Sequence, residues 1–328
     1  MTTANARVEH LEIPDTDHGP LRCAQLVPRD GDEHTPTCLF LYGGGGGPET
    51  LGAIAPLLES WWQSGAITRM RVVTPDVGPW SFYLDDPDEG SMWESRIARS
   101  LAALAGEAPV AVVGISMGGY GALKLALARP ARFAAVAAIS PMIEPGTDAH
   151  AVPLRNRFHY PPEVPQRLLG PQRDPALWSR DHPASRARAH ADALREGRMA
   201  IYLDAAGEDV FHAHDGAESL HRTLWELDVA HEHRLRASSD HVGPDLVERL
   251  RDAFAFVSRA LVPPSAAPLS ELERSWDTWL ASDRSTPAPS MPEPTSAFFG
   301  HALRAQLEPA RRAAAALDPT VLRRYGVL

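Results

Sequence analysis

Ser116, Asp209 and His241 occur in that chain order and are the three residue types from which acyl transfer by a hydroxyl is built: nucleophile, orienting acid and general base. Ser116 lies within Gly114-Ile115-Ser116-Met117-Gly118, a G-x-S-x-G pattern preceded by the apolar run "VAVVGI" and followed by helical spacing. Such a segment turns sharply from strand to helix and holds the serine at the apex in a strained backbone conformation with Oγ exposed. Side chains two residues to either side would collide across the turn, so Gly114 and Gly118 meet a steric demand. A serine hydroxyl is a weak nucleophile at neutral pH, which makes a base, and an acid to orient it, the next residues to find.

The acid is sought after the seventh strand-like run, in "YLDAAGEDVFHAHD", which offers Asp204, Glu208, Asp209 and Asp215. Asp204 falls within the strand, whereas Asp209 follows the Gly207 turn, where a loop brings a carboxylate to the sheet edge. Asp209 is the expected acid and Glu208 the second choice. His231 and His233 alternate along the last strand and share one face of it, which reads as structural. His241 instead stands in "SSDHVGPD", between that strand and the final helix, where the base belongs. His212 and His214 lack companion ligands for a metal, so they read as a polar helix start and no metal is expected.

The run "FLYGGGGGPE" contains five glycines from Gly43 to Gly47. A dinucleotide fingerprint fails because Pro48 occupies its third glycine position, and a phosphate-binding P-loop fails because Gly52 is followed by Ala53 and Ile54. No nucleotide cofactor is expected. The run follows the third strand and precedes the first helix, a location from which a backbone N–H can reach an oxyanion, and the Met117 N–H after the nucleophile supplies a second donor. Lys124 is the only lysine and lies in a helix, which gives low priority to Schiff-base or phosphate-clamping mechanisms.

The elements that must position these residues read as strands alternating with helices around a mainly parallel sheet. Strands are expected at 7–13, 21–27, 37–42, 70–75, 110–115, 133–140, 199–205 and 231–237, the first two forming an antiparallel edge. Helices are expected near 50–63, 91–105, 117–129, 213–227 and 243–261. Residues 1–262 then form the catalytic domain, interrupted at about 141–198 by a Pro-, Arg- and His-rich insertion that reads as a partly helical lid or substrate-binding segment. Residues 263–328 form an extension with Pro-rich linkers, "VPPSAAPL" and "STPAPSMPEP", and helical segments. Trp276 and Trp279 share one helix face there, which can pack on the main domain, join a homodimer or flap over the site.

A formal net charge of −10 over 328 residues argues against nucleic acid or an anionic membrane as general partners. The N-terminal residues lack a basic region followed by an apolar one, and no run of 18 apolar residues occurs, so a soluble cytoplasmic protein is expected. Cys23 and Cys38 sit in strand-like runs and read as buried free thiols.

The segments "FLYGGGGG", "VVTPDVGPWSFYLDD", "GISMGGYGALKLALARPARFAAVAAISP", "YLDAAGEDVF" and "SSDHVG" together resemble the esterase family of α/β-hydrolases, which includes S-formylglutathione hydrolase (esterase D), feruloyl esterases and mycolyltransferases. The resemblance spans 37 to about 261. It implies an α/β-hydrolase fold with a sheet of about eight mostly parallel strands, and cleavage of a small-molecule carboxylic ester or thioester through an acyl-enzyme on Ser116. Acyl transfer to an alcohol or amine, or a non-catalytic binding role, stand as alternatives. Met117 and Gly44 or Gly45 are implied as oxyanion donors, with no cofactor. Trp80, Phe82 and Tyr83 are implied as substrate contacts, with core or rim packing an equal reading. The family commonly has a histidine before the glycine loop, where this chain has Tyr42.

Overall fold

The computed structural model describes residues 8–29, 31–32, 34–86, 90–106, 108–147, 152–157, 175–262, 274–275, 278–279 and 282. The chain falls into two compact units, Met1–Pro263 and Pro264–Leu328.

In the first unit, an eight-stranded sheet forms from β1 (Val8–Ile13), β2 (Leu21–Leu26), β3 (Thr37–Leu41), β4 (Arg71–Pro75), β7 (Val110–Ile115), β8 (Phe133–Ile139), β9 (Ala200–Ala206) and β10 (Glu232–Arg236). Its spatial order is β1-β2-β4-β3-β7-β8-β9-β10. β1 pairs with β2 and β2 with β4 antiparallel, while every later pair is parallel. Each expected strand is present. The short ribbon β5 (Asp85–Asp86) and β6 (Ser91–Met92) is an addition that two-residue strands leave no periodicity to announce.

Parallel strands need crossovers, and long ones run through helices. These are α1 (Glu49–Gln63), α2 (Trp93–Ala105), α3 (Met117–Leu127), α8 (Ala213–Glu226) and α9 (Leu246–Leu261). Between β8 and β9 lie short helices α4 (Leu154–Arg157), α5 (Pro175–Asp181), α6 (Pro183–Ala189) and α7 (Ala191–Glu196), within the region expected to be an insertion.

Because successive side chains of a strand point to opposite faces, the central strands feed two cores. Cys38 and Phe40 of β3 pack with Leu51 and Leu58 of α1 and Phe254 of α9. Leu39 and Leu41 belong to the other layer, with Leu101 of α2, Leu123 of α3 and Leu220 of α8. Cys23 and Cys38 are free and buried. Lys124 is fully buried, with Nζ 3.0 Å from Glu94 Oε2 and 2.8 Å from the Tyr83 carbonyl it donates to. Arg129 and Arg186 complete the ring of cations around Glu94.

Among the described residues no helix is long and apolar enough to cross a membrane. In the second unit, Thr278 Oγ1 donates to the Arg274 carbonyl one helical turn back. Trp276, the first Pro-rich linker beyond Val262, the second linker and the last helix-like segment lie outside the described residues.

Candidate active site

All the parallel strands end on one side of the sheet, and the residues singled out for chemistry stand at four of those ends: the glycine loop after β3, Ser116 after β7, Asp209 after β9 and His241 after β10. Strand-end loops of such sheets converge on one crevice.

Ser116 adopts φ 56° and ψ −120°, a conformation a non-glycine residue holds at a cost of about 1–3 kcal/mol, repaid by its surroundings. Its N–H donates to the Ile139 carbonyl at 2.9 Å, and its carbonyl accepts from Tyr120 and Met142 N–H groups, both at 3.1 Å. The turn is tight enough that a Cβ on Gly114 would lie 2.1 Å from the Gly118 oxygen, and one on Gly118 would lie 1.9 Å from the Leu41 oxygen. Only glycine fits either place.

The acid and base loops are tied together by backbone. Gly207 N–H donates to the Arg236 carbonyl at 2.8 Å and Glu208 N–H to the Ser239 carbonyl at 2.9 Å. Asp240 Oδ1 accepts from Val210 N–H at 3.1 Å and from His241 N–H at 2.6 Å, fastening both loops through one carboxylate.

Asp209 and His241 are both buried. Asp209 Oδ2 lies 2.7 Å from His241 Nδ1, and His241 Nε2 lies 2.8 Å from Ser116 Oγ. A carboxylate only accepts, so Nδ1 carries the ring proton and Nε2 presents a lone pair to the serine hydroxyl. Phe211 closes edge-on against the His241 ring at 4.6 Å, and its N–H donates to Asp209 Oδ1 at 2.8 Å. Burial by itself raises the Asp209 pKa, but the His241 hydrogen bond and charge, the Phe211 N–H and the Ser140 hydroxyl outweigh it and hold it below the ordinary value.

The other acids considered from sequence are engaged elsewhere or point to solvent. Asp204 is buried between Arg236 and Arg249, at 3.0 and 2.6 Å, Asp215 pairs with Arg155, and Glu208 is exposed. His214 lies 3.6 Å from Asp215, and the rings of His231 and His233 gather with that of His221 of α8.

Two expected site residues take different places. Gly45 N–H donates to the Pro79 carbonyl at 2.7 Å, so it is committed to holding the loop, with φ at +78°. The Gly44 N–H meets no acceptor among the described residues, and neither does that of Met117, which opens α3 and therefore has no intrahelical partner. Tyr83 is buried, with its hydroxyl donated to the Tyr42 carbonyl at 3.1 Å and its ring against Gly121, so it supports the loop instead of facing the cavity. Tyr42, standing where a histidine is common, accepts the Val77 N–H at 2.9 Å and donates to the Gly78 carbonyl at 3.3 Å. It thus anchors the loop that carries Trp80.

Trp80 and Phe82 do line a cavity of about 630 Å³ around Ser116 and His241, together with Gly44, Met142 and Phe211. A Cβ on Gly44 would come within 2.3 Å of the Trp80 ring, so a bare backbone here lets the indole lie on the loop. The support behind Asp209 is not among the residues expected from sequence. Fully buried Arg249 reaches Ser140 Oγ at 2.6 Å, Asp204 Oδ1 at 2.6 Å and the Asp240 carbonyl at 3.0 Å. A charged residue in the apolar stripe of Leu246, Leu250, Ala253 and Val257 is the signal that points to it.

The sheet, its crossovers and the helices on both faces are those of the α/β-hydrolase fold. More particularly, residues 94–243 match the Esterase family model, described as "Putative esterase", so the resemblance read from the sequence holds. The matched span carries Ser116, Asp209 and His241 and stops short of the glycine loop. It supports ester hydrolysis in general terms. No curated protein matches the chain.

Among solved structures, the chain is similar to a ferulic acid esterase at 18% identity and TM-score 0.60, over 78% of this chain and 99% of the other. It is similar to FphF, a fluorophosphonate-binding serine hydrolase of Staphylococcus aureus, at 15% identity and TM-score 0.60, over 78% and 99%. An S-formylglutathione hydrolase from Agrobacterium tumefaciens is similar at 20% identity and TM-score 0.56, over 80% and 98%.

Proposed function

We propose that this chain is a serine hydrolase that cleaves a carboxylic ester or thioester through an acyl-enzyme on Ser116. The observation that carries the proposal is the unbroken hydrogen-bonded series from Asp209 through His241 to Ser116 Oγ, at 2.7 and 2.8 Å.

In this reading His241 Nε2 takes the Ser116 proton as Oγ attacks the carbonyl carbon. The carbonyl π electrons move to oxygen, and the resulting oxyanion accepts the N–H groups of Met117 and Gly44. Donors fixed in advance at such a position contribute about 3–4 kcal/mol each to the transition state. The tetrahedral intermediate then collapses, expelling the alcohol or thiol, which takes the proton from His241. Water, deprotonated by His241, repeats the sequence on the acyl-enzyme and releases the acid. Asp209 stays ionised throughout and stabilises the imidazolium.

The cavity favours an acyl or leaving group with an apolar or aromatic face, because Trp80, Phe82, Met142 and Phe211 surround the reacting atoms. Transfer of the acyl group to an alcohol or amine would use the same intermediate, and no contact among the described residues favours it.

The test is a panel of ester and thioester substrates assayed with the native chain and with Ser116→Ala. The reading expects hydrolysis by the native chain and its loss in the variant. Undiminished hydrolysis by a folded Ser116→Ala protein would sink it.

A further inference from the structure

His221 and Glu218 stand one turn apart on α8, and His233 faces them from β10, the last strand of the sheet. One nitrogen or carboxylate oxygen from each lies within 4.8 Å of the others. The His221 and His233 rings stack at 4.6 Å, 21° from parallel. Such crowding of polar rings calls for partners, and His233 has none of hydrogen-bonding quality among the described residues. Its Nε2 is buried without a partner, and its Nδ1 is 4.0 Å from Glu218 Oε2, beyond hydrogen-bond reach. Glu218 is itself held in place by Arg222, whose Nη2 meets its Oε1 at 2.9 Å and leaves Oε2 turned to His233.

The third histidine of the group fixes the state of His221. His231 Nδ1 lies 2.8 Å from the Val229 carbonyl, which only accepts, so Nδ1 carries the proton. In the neutral rings that ligation requires, His231 Nε2 is then an acceptor, and His221 Nδ1, 2.8 Å away, must donate to it. His221 is left with a lone pair on Nε2. A ligating imidazole whose other nitrogen donates to a second group is the usual arrangement at protein metal sites, because the outer hydrogen bond fixes ring and tautomer.

We propose that Glu218, His221 and His233 bind one divalent transition cation of the zinc type, which joins α8 to β10. Two imidazoles and a carboxylate suit Zn²⁺, whereas Mg²⁺ and Ca²⁺ prefer all-oxygen shells. Tetrahedral coordination at about 2.0–2.1 Å places ligand atoms about 3.3 Å apart, so closing on a cation asks for a small inward turn of the Glu218 side chain, which is 44% exposed. A solvent molecule fills the fourth position. The cation braces the fold and takes no part in the reaction: α8 follows the loop carrying Asp209, and β10 leads into the loop carrying His241.

The untagged 328-residue chain, stripped with chelator, is titrated calorimetrically with Zn²⁺ and melted with and without it. The proposal expects one equivalent bound and a raised melting temperature in the native chain. Glu218→Ala and His221→Ala should lose both effects, His231→Phe should bind about 10–100-fold more weakly, and His212→Ala should bind like the native chain. Glu218→Ala, at the surface, keeps the test readable if His221→Ala does not fold. No binding by the native chain, or equal binding by Glu218→Ala, overturns the proposal.

Discussion

Arg249 Nη2 lies 2.6 Å from Ser140 Oγ, and the Ser140 hydroxyl is among the groups that lower the Asp209 pKa. The guanidinium accepts nothing, so the Ser140 proton is free to point toward Asp209, and helix α9 supports the carboxylate from behind through Ser140. Ser140→Ala removes that hydroxyl while leaving Asp209 its contacts with His241 and Phe211. We expect kcat to fall by up to about tenfold, equivalent to ~1.4 kcal/mol, with KM unchanged. A change confined to KM would show that Ser140 acts elsewhere.

Asp209→Asn is nearly isosteric but inverts the polarity of the bond to His241. An amide N–H facing Nδ1 drives the ring proton to Nε2, where it opposes the serine hydroxyl. Loss of about 10⁴-fold in kcat is expected by the same logic that holds in Ser-His-Asp proteases. Glu208→Gln, an exposed neighbour, serves as the control and should leave kcat within twofold or so of the native value, since its side chain faces solvent.

Gly44→Ala forces a methyl group to within 2.3 Å of where the Trp80 ring now lies. The indole is partly exposed at the cavity rim and can swing, so the fold survives but the loop is pushed off its position. Stopped-flow or steady-state kinetics should show kcat reduced at nearly native stability. Adding Trp80→Ala removes the clash and should return part of the lost kcat; no recovery in the double variant would separate the loop's position from Trp80.

Glu94 supplies a pH dependence. Burial alone raises its pKa, but Lys124 and Arg186, followed by Arg129, bring it down to about 2 from an ordinary value of 4.5. A carboxyl whose folded pKa is depressed stabilises the fold fully above the unfolded value and loses that contribution as pH falls toward the folded one. Unfolding monitored by circular dichroism should therefore show stability declining between about pH 4.5 and 2. Glu94→Gln should be less stable at neutral pH and lose less stability across that window.

The elements and the chain order of the candidate site residues were legible because both are local signals. Val110–Ile115 is a short continuous apolar run, as a strand buried on both faces requires, and Gly114 and Gly118 mark the turn that a serine apex demands. What the sequence could not carry was partnership across distance. Whether Gly44 or Gly45 has the uncommitted N–H depends on the Pro79 carbonyl, and whether Tyr83 faces substrate depends on the Tyr42 carbonyl. Arg249 and Ser140 are 109 positions apart and meet only because α9 packs on β8. A buried arginine in an apolar stripe announces that it has partners without saying which. The histidines at 231 and 233 do share a face, as period-two spacing requires, but His221 is brought to them by the packing of α8.

The measurement that bears most directly on the acyl-enzyme is covalent labelling of the native chain with a fluorophosphonate probe, followed by peptide mapping of the modified residue. The account predicts stoichiometric modification on Ser116 alone, slowed strongly by Asp209→Asn and absent in Ser116→Ala. Folded native protein that takes no label, or takes it on another residue, would contradict it.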